Sequence, residues 1–437
     1  MRSFWLLASL IAAPAAAQER RVDVVAVPQL ATPANVNTPA GYTGNIAREV
    51  ADVIAADLRQ SREVVPLGPQ GLKVYSSQEA AAPAFGEWRK TAAKALITGF
   101  VQARDDGRLT VACYLHDVAG GRELARQGVA VAPAEWRRAA HRCADMAYSK
   151  LSGRPGWFDT RITYVAESGP STARIKRIAM MDSDGTNHRY LTAGDAVVLS
   201  PRLAPGGERI AYVALSGGQA QLRLHTLAGG ADGGGGEDRP VSPPGTSMSF
   251  APRFSPDGSR LAFSAALGGN TDILVTDVGG AGVARLTTSP GLDTAPSYSP
   301  DGSRIVFESD RSGTPQLYVM NADGSDQRRI SFGGFRYGAP TWSPDGEWIA
   351  FTRTGGDGLR IGVMRATGAD ERMVTSGPGG QDEAPSWGAG SRSLLFQRSD
   401  ASGRTTLFQV AADGGEPRAI VTPQGGSDPD WSTGGTR

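Results

Sequence analysis

Short apolar runs bounded by turn residues recur along the second two-thirds of the chain. One is Arg304-Ile305-Val306-Phe307-Glu308-Ser309, and the next is Gln316-Leu317-Tyr318-Val319-Met320; Pro296 to Ser299 precedes them and Gln327-Arg328-Arg329-Ile330 follows. β-branched and aromatic residues dominate, so each unit is expected to fold as four strands. Prolines at 201, 252, 296, 340, 385 and 429 mark six copies at intervals of 44 to 51 residues. A period in the forties with several short strands per unit predicts a β-propeller blade.

The cleanest copies are Ala251-Pro252-Arg253-Phe254-Ser255-Pro256-Asp257-Gly258 and its counterparts at Ala295 and Ala339. Their Ser-Pro-Asp-Gly ending is a turn with a mechanism: proline presets φ at the second position and glycine suits the fourth. The fifth copy has Gly388-Ala389-Gly390-Ser391 instead, and the 51-residue interval holds the glycine run 229–236, expected as a surface loop. Asp182-Ser183-Asp184-Gly185 and Asn321-Ala322-Asp323-Gly324 read as hairpin turns, because neither continues into calcium-loop spacing. The sixth copy has a first strand at Asp430 and Trp431 and no second. Arg161 to Ser168 and Arg174 to Met181 match the missing strands, so the last blade is expected to be built from both ends of the region, closing a six-bladed ring.

Residues 22 to about 152 lack the repeat. Val22 to Val27 reads as a strand. Ile46, Val50, Val53, Ile54 and Leu58 follow helical spacing, with Thr43 as the cap. Trp88 lies on a shorter helix candidate. Strands are expected at Leu96–Ala103, Leu109–Val118 and Glu123–Val131, then a helix opened by Pro133 and ended by Gly153. The fold class is therefore α+β, mainly β: a signal segment (1–17), a small α/β domain (18–152), a linker (153–160) and a six-bladed β-propeller (161–437).

Composition narrows the partners. The chain of 437 residues carries 45 Lys+Arg against 44 Asp+Glu, and nothing in it suggests the clustered positive charge of a nucleic-acid surface. Arg2, the apolar stretch Phe4 to Ala13 and Ala15-Ala16-Ala17 form a secretory signal, with the mature chain starting at Gln18. The apolar run is too short for a permanent membrane span. An exported, soluble monomer is expected. In that compartment Cys113 and Cys143 are expected to form a disulfide closing a loop of about 30 residues, contributing roughly 3 kcal/mol in the chain-entropy view; two separate buried thiols are the alternative.

Reactive constellations are missing. His116, His141, His188 and His225 show no metal-ligand spacing, and Gly-x-Ser-x-Gly is absent. Asp293, Asp382, Glu383 and Asp428 could form an acidic ring but read as solvated loop carboxylates. The expectation is no catalytic residues, no cofactor and no metal. A propeller hydrolase or lyase acting on periplasmic glycans, or a glycan-binding propeller, is the alternative.

The signal segment, an α/β domain containing Ala51-Asp52-Val53-Ile54-Ala55-Ala56-Asp57-Leu58-Arg59, and the Ser-Pro-Asp-Gly blades together resemble the TolB family over nearly all of the mature chain. The resemblance implies a non-enzymatic periplasmic scaffold of the Tol-Pal system that supports outer-membrane integrity and cell division. Its implied partners are the lipoprotein Pal, at the propeller mouth, and TolA, through the mature N-terminus. Carried over by position relative to the repeat proline, the Pal contacts are Met248, Ala251 and Thr294. Geometry extends them to Arg336, Tyr337, Asp382 and Glu383. TolA would take Gln18, Glu19, Arg20, Arg21 and Val22 by strand addition, although few residues precede the first strand here.

Overall fold

The structure, a computed structural model, describes residues 23–227, 236–243, 245–377 and 379–432. The signal segment, the Gln18–Val22 segment and most of the glycine run 229–236 lie outside the described residues. The chain forms two compact units, one of residues 1–130 with 150–152, the other of residues 131–149 with 153–437.

In the first unit a five-stranded sheet runs in the order Val64–Leu67, Asp23–Ala26, Ala95–Ala103, Leu109–Asp117, Arg122–Val131. Asp23–Ala26 pairs in parallel with both of its neighbours. Helix α1 (Thr43–Gln60) buries Ile46, Val50, Ile54 and Leu58, the predicted stripe. Two expectations are corrected. The N-cap is Tyr42 without a side-chain bond; Thr43 Oγ1 instead donates to Ala34 O at 2.8 Å and accepts from Val36 N. Val64–Leu67 is a strand that no periodicity announced; it lies at the edge, where the missing N–H of Pro66 is tolerated. After α2 (Ser77–Ala81), Trp88 starts only a single 3-10 turn, Trp88–Lys90.

The second unit contains α3 (Trp136–Ser152), ended by Gly153 in the left-handed region (φ 71°), and six four-stranded sheets. Blades 1 to 5 each follow chain order and begin at Val197–Leu203, Met248–Phe254, Asp293–Tyr298, Arg336–Trp342 and Gln381–Trp387. Blade 6 is composite: Gly425–Trp431 pairs antiparallel with Arg161–Ser168, which continues to Ile175–Asp182 and Arg189–Tyr190. Every first strand touches those of both neighbouring blades, so the first strands form the closed inner wall. The fourth residue of each second strand is an aromatic: Tyr164, Tyr212, Phe263, Phe307, Phe351 and Phe396. All are buried, and each joins a different interblade cluster. The Ser-Pro-Asp-Gly turns form as read: Gly302 N donates to Ser299 O, Arg304 N to Ser299 Oγ, and Gly302 sits at φ 72°. In the fifth copy Ser391 occupies the left-handed region that glycine fills elsewhere.

The residue before each repeat proline also lies at positive φ: Ser200, Ala251, Ala295, Ala339, Ala384 and Asp428, between 47° and 53°. The pairing register shifts there in all six first strands. A bulge at a fixed place in each blade turns the inner strand, and the left-handed backbone costs about 1–2 kcal/mol per non-glycine residue. Interblade bonds hold it. Ala295 N donates to Ser264 Oγ (3.0 Å), Asp428 N to Gln397 Oε1 (2.7 Å) and Ser200 N to Asp428 Oδ2 (3.1 Å). Ala295→Val should cost about 1–3 kcal/mol in urea unfolding, because a β-branched side chain fits this backbone poorly. Ala295→Gly should be within about 0.5 kcal/mol of wild type, since relief of the strain offsets the flexibility added to the unfolded chain. Equal midpoints for the two variants would show that the bulge stores no strain.

Candidate propeller-mouth interface

Strand alternation decides which mouth residues can meet a partner. Counting back from the left-handed residue in blades 1 to 5, the third position faces solvent, the second points into the blade and the first is half-buried. The third positions include Met248 (46 % exposed), Leu292 (50 %), Arg336 and Gln381; the first include Phe250, Thr294 and Glu383. Ala251, itself at the left-handed position, is half-buried.

Tyr337 and Asp382 both occupy the second position and are buried. The Tyr337 hydroxyl donates to Glu371 at 2.9 Å and its ring packs against Phe351. Burial and Glu371 push its pKa up to about 12. Asp382 takes a two-pronged bond from Arg398, at 2.6 and 2.9 Å. These two residues support the mouth from beneath. Leu292, Gln381 and the exposed Phe332 join the face although sequence reasoning did not single them out. Counting the two-residue alternation back from the repeat proline was the signal available for Leu292 and Gln381. Phe335, 40 % exposed, lies under the Arg353 guanidinium at 4.2 Å.

The acidic ring is not a set of solvated carboxylates. Asp293 is buried and paired with Arg311 at 2.8 Å, Asp382 is paired as above, and Asp428 accepts from Ser200 N. A carboxylate in the wall of a packed blade must find a donor, and each of these has found one. Burial raises the pKa of Glu383, and nearby Asp428 adds to the effect; burial likewise raises Glu308. Deeper in the channel Arg253 lies 3.3 Å from Asp430. Burial and the adjacent Arg202 push its pKa down to about 9. The arrangement is an annulus of apolar and half-buried polar side chains over a cross-braced ionic wall, suited to docking a macromolecule.

Both cysteines, Cys113 and Cys143, are buried and disulfide-bonded. Among the described residues no helix is long and apolar enough to cross a membrane. One cluster could not be read from spacing: His141 of α3 meets Asp182 and Asp184 of the blade 6 turn.

The chain matches the TolB amino-terminal domain over residues 20–124 and the TolB beta propeller domain over residues 148–434. It is 50% identical over 221 residues to the Tol-Pal system protein TolB of Rhizorhabdus wittichii, covering 48% of this chain and 50% of that protein. With the Tol-Pal system protein TolB of Zymomonas mobilis it shares 49% identity over 206 residues, 47% of this chain and 45% of that protein. The chain thus spans about half the length of the curated relatives it matches. The crystal structure of TolB from Acinetobacter baumannii superposes with a TM-score of 0.75 at 25% identity, covering 94% of this chain and 97% of that one.

Proposed function

The chain belongs to the TolB family, and from that premise we propose that it is a non-enzymatic periplasmic scaffold of the Tol-Pal system that docks the lipoprotein Pal at the propeller mouth. In this reading export removes residues 1–17, and the segment Gln18 to Val22 engages TolA by adding a strand. The chain thereby supports outer-membrane integrity and cell division.

One observation carries the reading. Val197, Leu215, Met248, Leu292, Phe332 and Phe335, all 39 % or more exposed, cluster where first strands begin and second strands end, which is the mouth. The remaining exposed large apolar side chains of the described propeller are Ile175, Tyr190, Val283 and Val421, the last in the connector that leads into the first strand of blade 6. Clustered apolar exposure on one end of a ring marks a protein-binding face. The acidic residues that an alternative hydrolase would use are engaged in structural bonds, which favours docking over turnover. Met248, Ala251, Thr294, Arg336 and Glu383 are the proposed contacts, with Leu292 and Phe335 added; Tyr337 and Asp382 shape the surface from below.

The test is calorimetric titration with a soluble Pal domain. Met248→Glu and Thr294→Arg should each weaken binding at least tenfold, about 1.4 kcal/mol. Val283→Glu, away from the mouth, should leave Kd unchanged. Wild-type affinity in both mouth variants removes the site assignment, and absence of binding by the unaltered chain removes the function.

A further inference from the structure

We propose that His141, Asp182 and Asp184 form a binding site for a zinc-like divalent cation between α3 and blade 6. The donor atoms of the three side chains lie within 4.8 Å of one another, and His141 and Asp182 are buried. His141 Nε2 sits 3.8 Å from Asp184 Oδ2, beyond hydrogen-bond length and close to the separation of about 3.4 Å between two ligands of one tetrahedral ion. One imidazole nitrogen with two carboxylates suits zinc; calcium and magnesium take more ligands, and those are oxygens. A fourth position is left for water.

The fold holds the three groups for reasons independent of an ion. Gly185 at φ 83° and the bond from its N–H to Asp182 O fix the turn. Ser183 Oγ donates to Phe158 O, and Asn187 Nδ2 donates to Asp182 Oδ2 at 2.6 Å. Two cations now share the carboxylates. Arg137 Nη2 lies 2.6 Å from Asp184 Oδ2, and Arg161 Nε lies 4.0 Å from Asp182 Oδ1. Arg137 is partly exposed and rests on the Trp136 ring, so it can swing to solvent when a divalent ion enters. Asp184, 20 % exposed, gives the way in. Displacement of Arg137 costs the ion part of its affinity.

The experiment titrates zinc chloride into the metal-stripped, disulfide-intact chain by calorimetry and in thermal melts. One ion per chain should bind, the melting temperature should rise and saturate, and affinity should fall at acid pH as the imidazole takes a proton. His141→Ala and Asp184→Asn should each weaken binding at least tenfold, and His225→Ala should not. If His141→Ala does not fold, the partly exposed Asp184 makes Asp184→Asn decisive. No saturable binding, or undiminished binding by Asp184→Asn, overturns the site. Pal titrations are independent of it, so the two proposals stand or fall separately.

Discussion

Trp431→Ala is expected to remove about 3–5 kcal/mol of stability, a large share of what a marginally stable protein possesses. Trp431 ends the strand that joins the two ends of the propeller region. It is 3 % exposed and packs with Ile162, Tyr164, Leu395 and Leu407 between blades 5 and 6. Its indole N–H donates to Thr160 Oγ1 at 2.9 Å, and its backbone N–H donates to Ser386 Oγ in the neighbouring blade. Truncation therefore opens a cavity, leaves the Thr160 hydroxyl short of a donor and loosens the one blade whose strands are not contiguous in sequence. Urea unfolding followed by fluorescence and circular dichroism measures the loss. Trp431→Phe, which keeps most of the volume, should recover more than half. A loss below about 1 kcal/mol in the alanine variant would mean that the ring is not closed through this strand.

Arg398→Ala should cost a similar amount, about 3–5 kcal/mol, for a different reason. Asp382 is fully buried and both of its oxygens depend on Arg398. Removing the arginine strands a carboxylate in the blade, whereas removing both groups strands nothing. The double variant Arg398→Met/Asp382→Leu should therefore be more stable than Arg398→Ala alone. A double-mutant cycle reads the coupling directly. Because Asp382 lies one residue from Glu383 on the same inner strand, Arg398→Ala should also weaken Pal binding although it adds no bulk to the mouth. Additive losses in the cycle would show that the pair is not a unit.

The repeat made the architecture legible. Each proline marked an inner strand, Ser-Pro-Asp-Gly announced the turn after it, and the stranded Asp430-Trp431 pointed back to Arg161 as its missing neighbour. What escaped was governed by finer rules. Tyr337 and Asp382 lie in the mouth segments, yet the pleat turns both inward, and only alternation counted residue by residue separates them from Arg336 and Glu383. Val64–Leu67 is too short to show a period, and the parallel pairing that makes it a strand involves residues some forty positions away. A hydroxyl residue at the start of a helix suggests a cap, but the Thr43 hydroxyl bonds the preceding loop. His141 and Asp184 are brought together by tertiary packing, for which sequence spacing has no signature.

The composite blade also dictates an order of events. Synthesis proceeds from the N-terminus, so Arg161–Ser168 emerges early and exposes an unpaired edge until the partner at Gly425–Trp431 is made. Five contiguous blades can assemble as they appear; the sixth must wait for the final segment. The nascent protein therefore carries that open strand edge while residues 169–424 are made, more than half of its length, and the ring closes only when the last inner strand arrives.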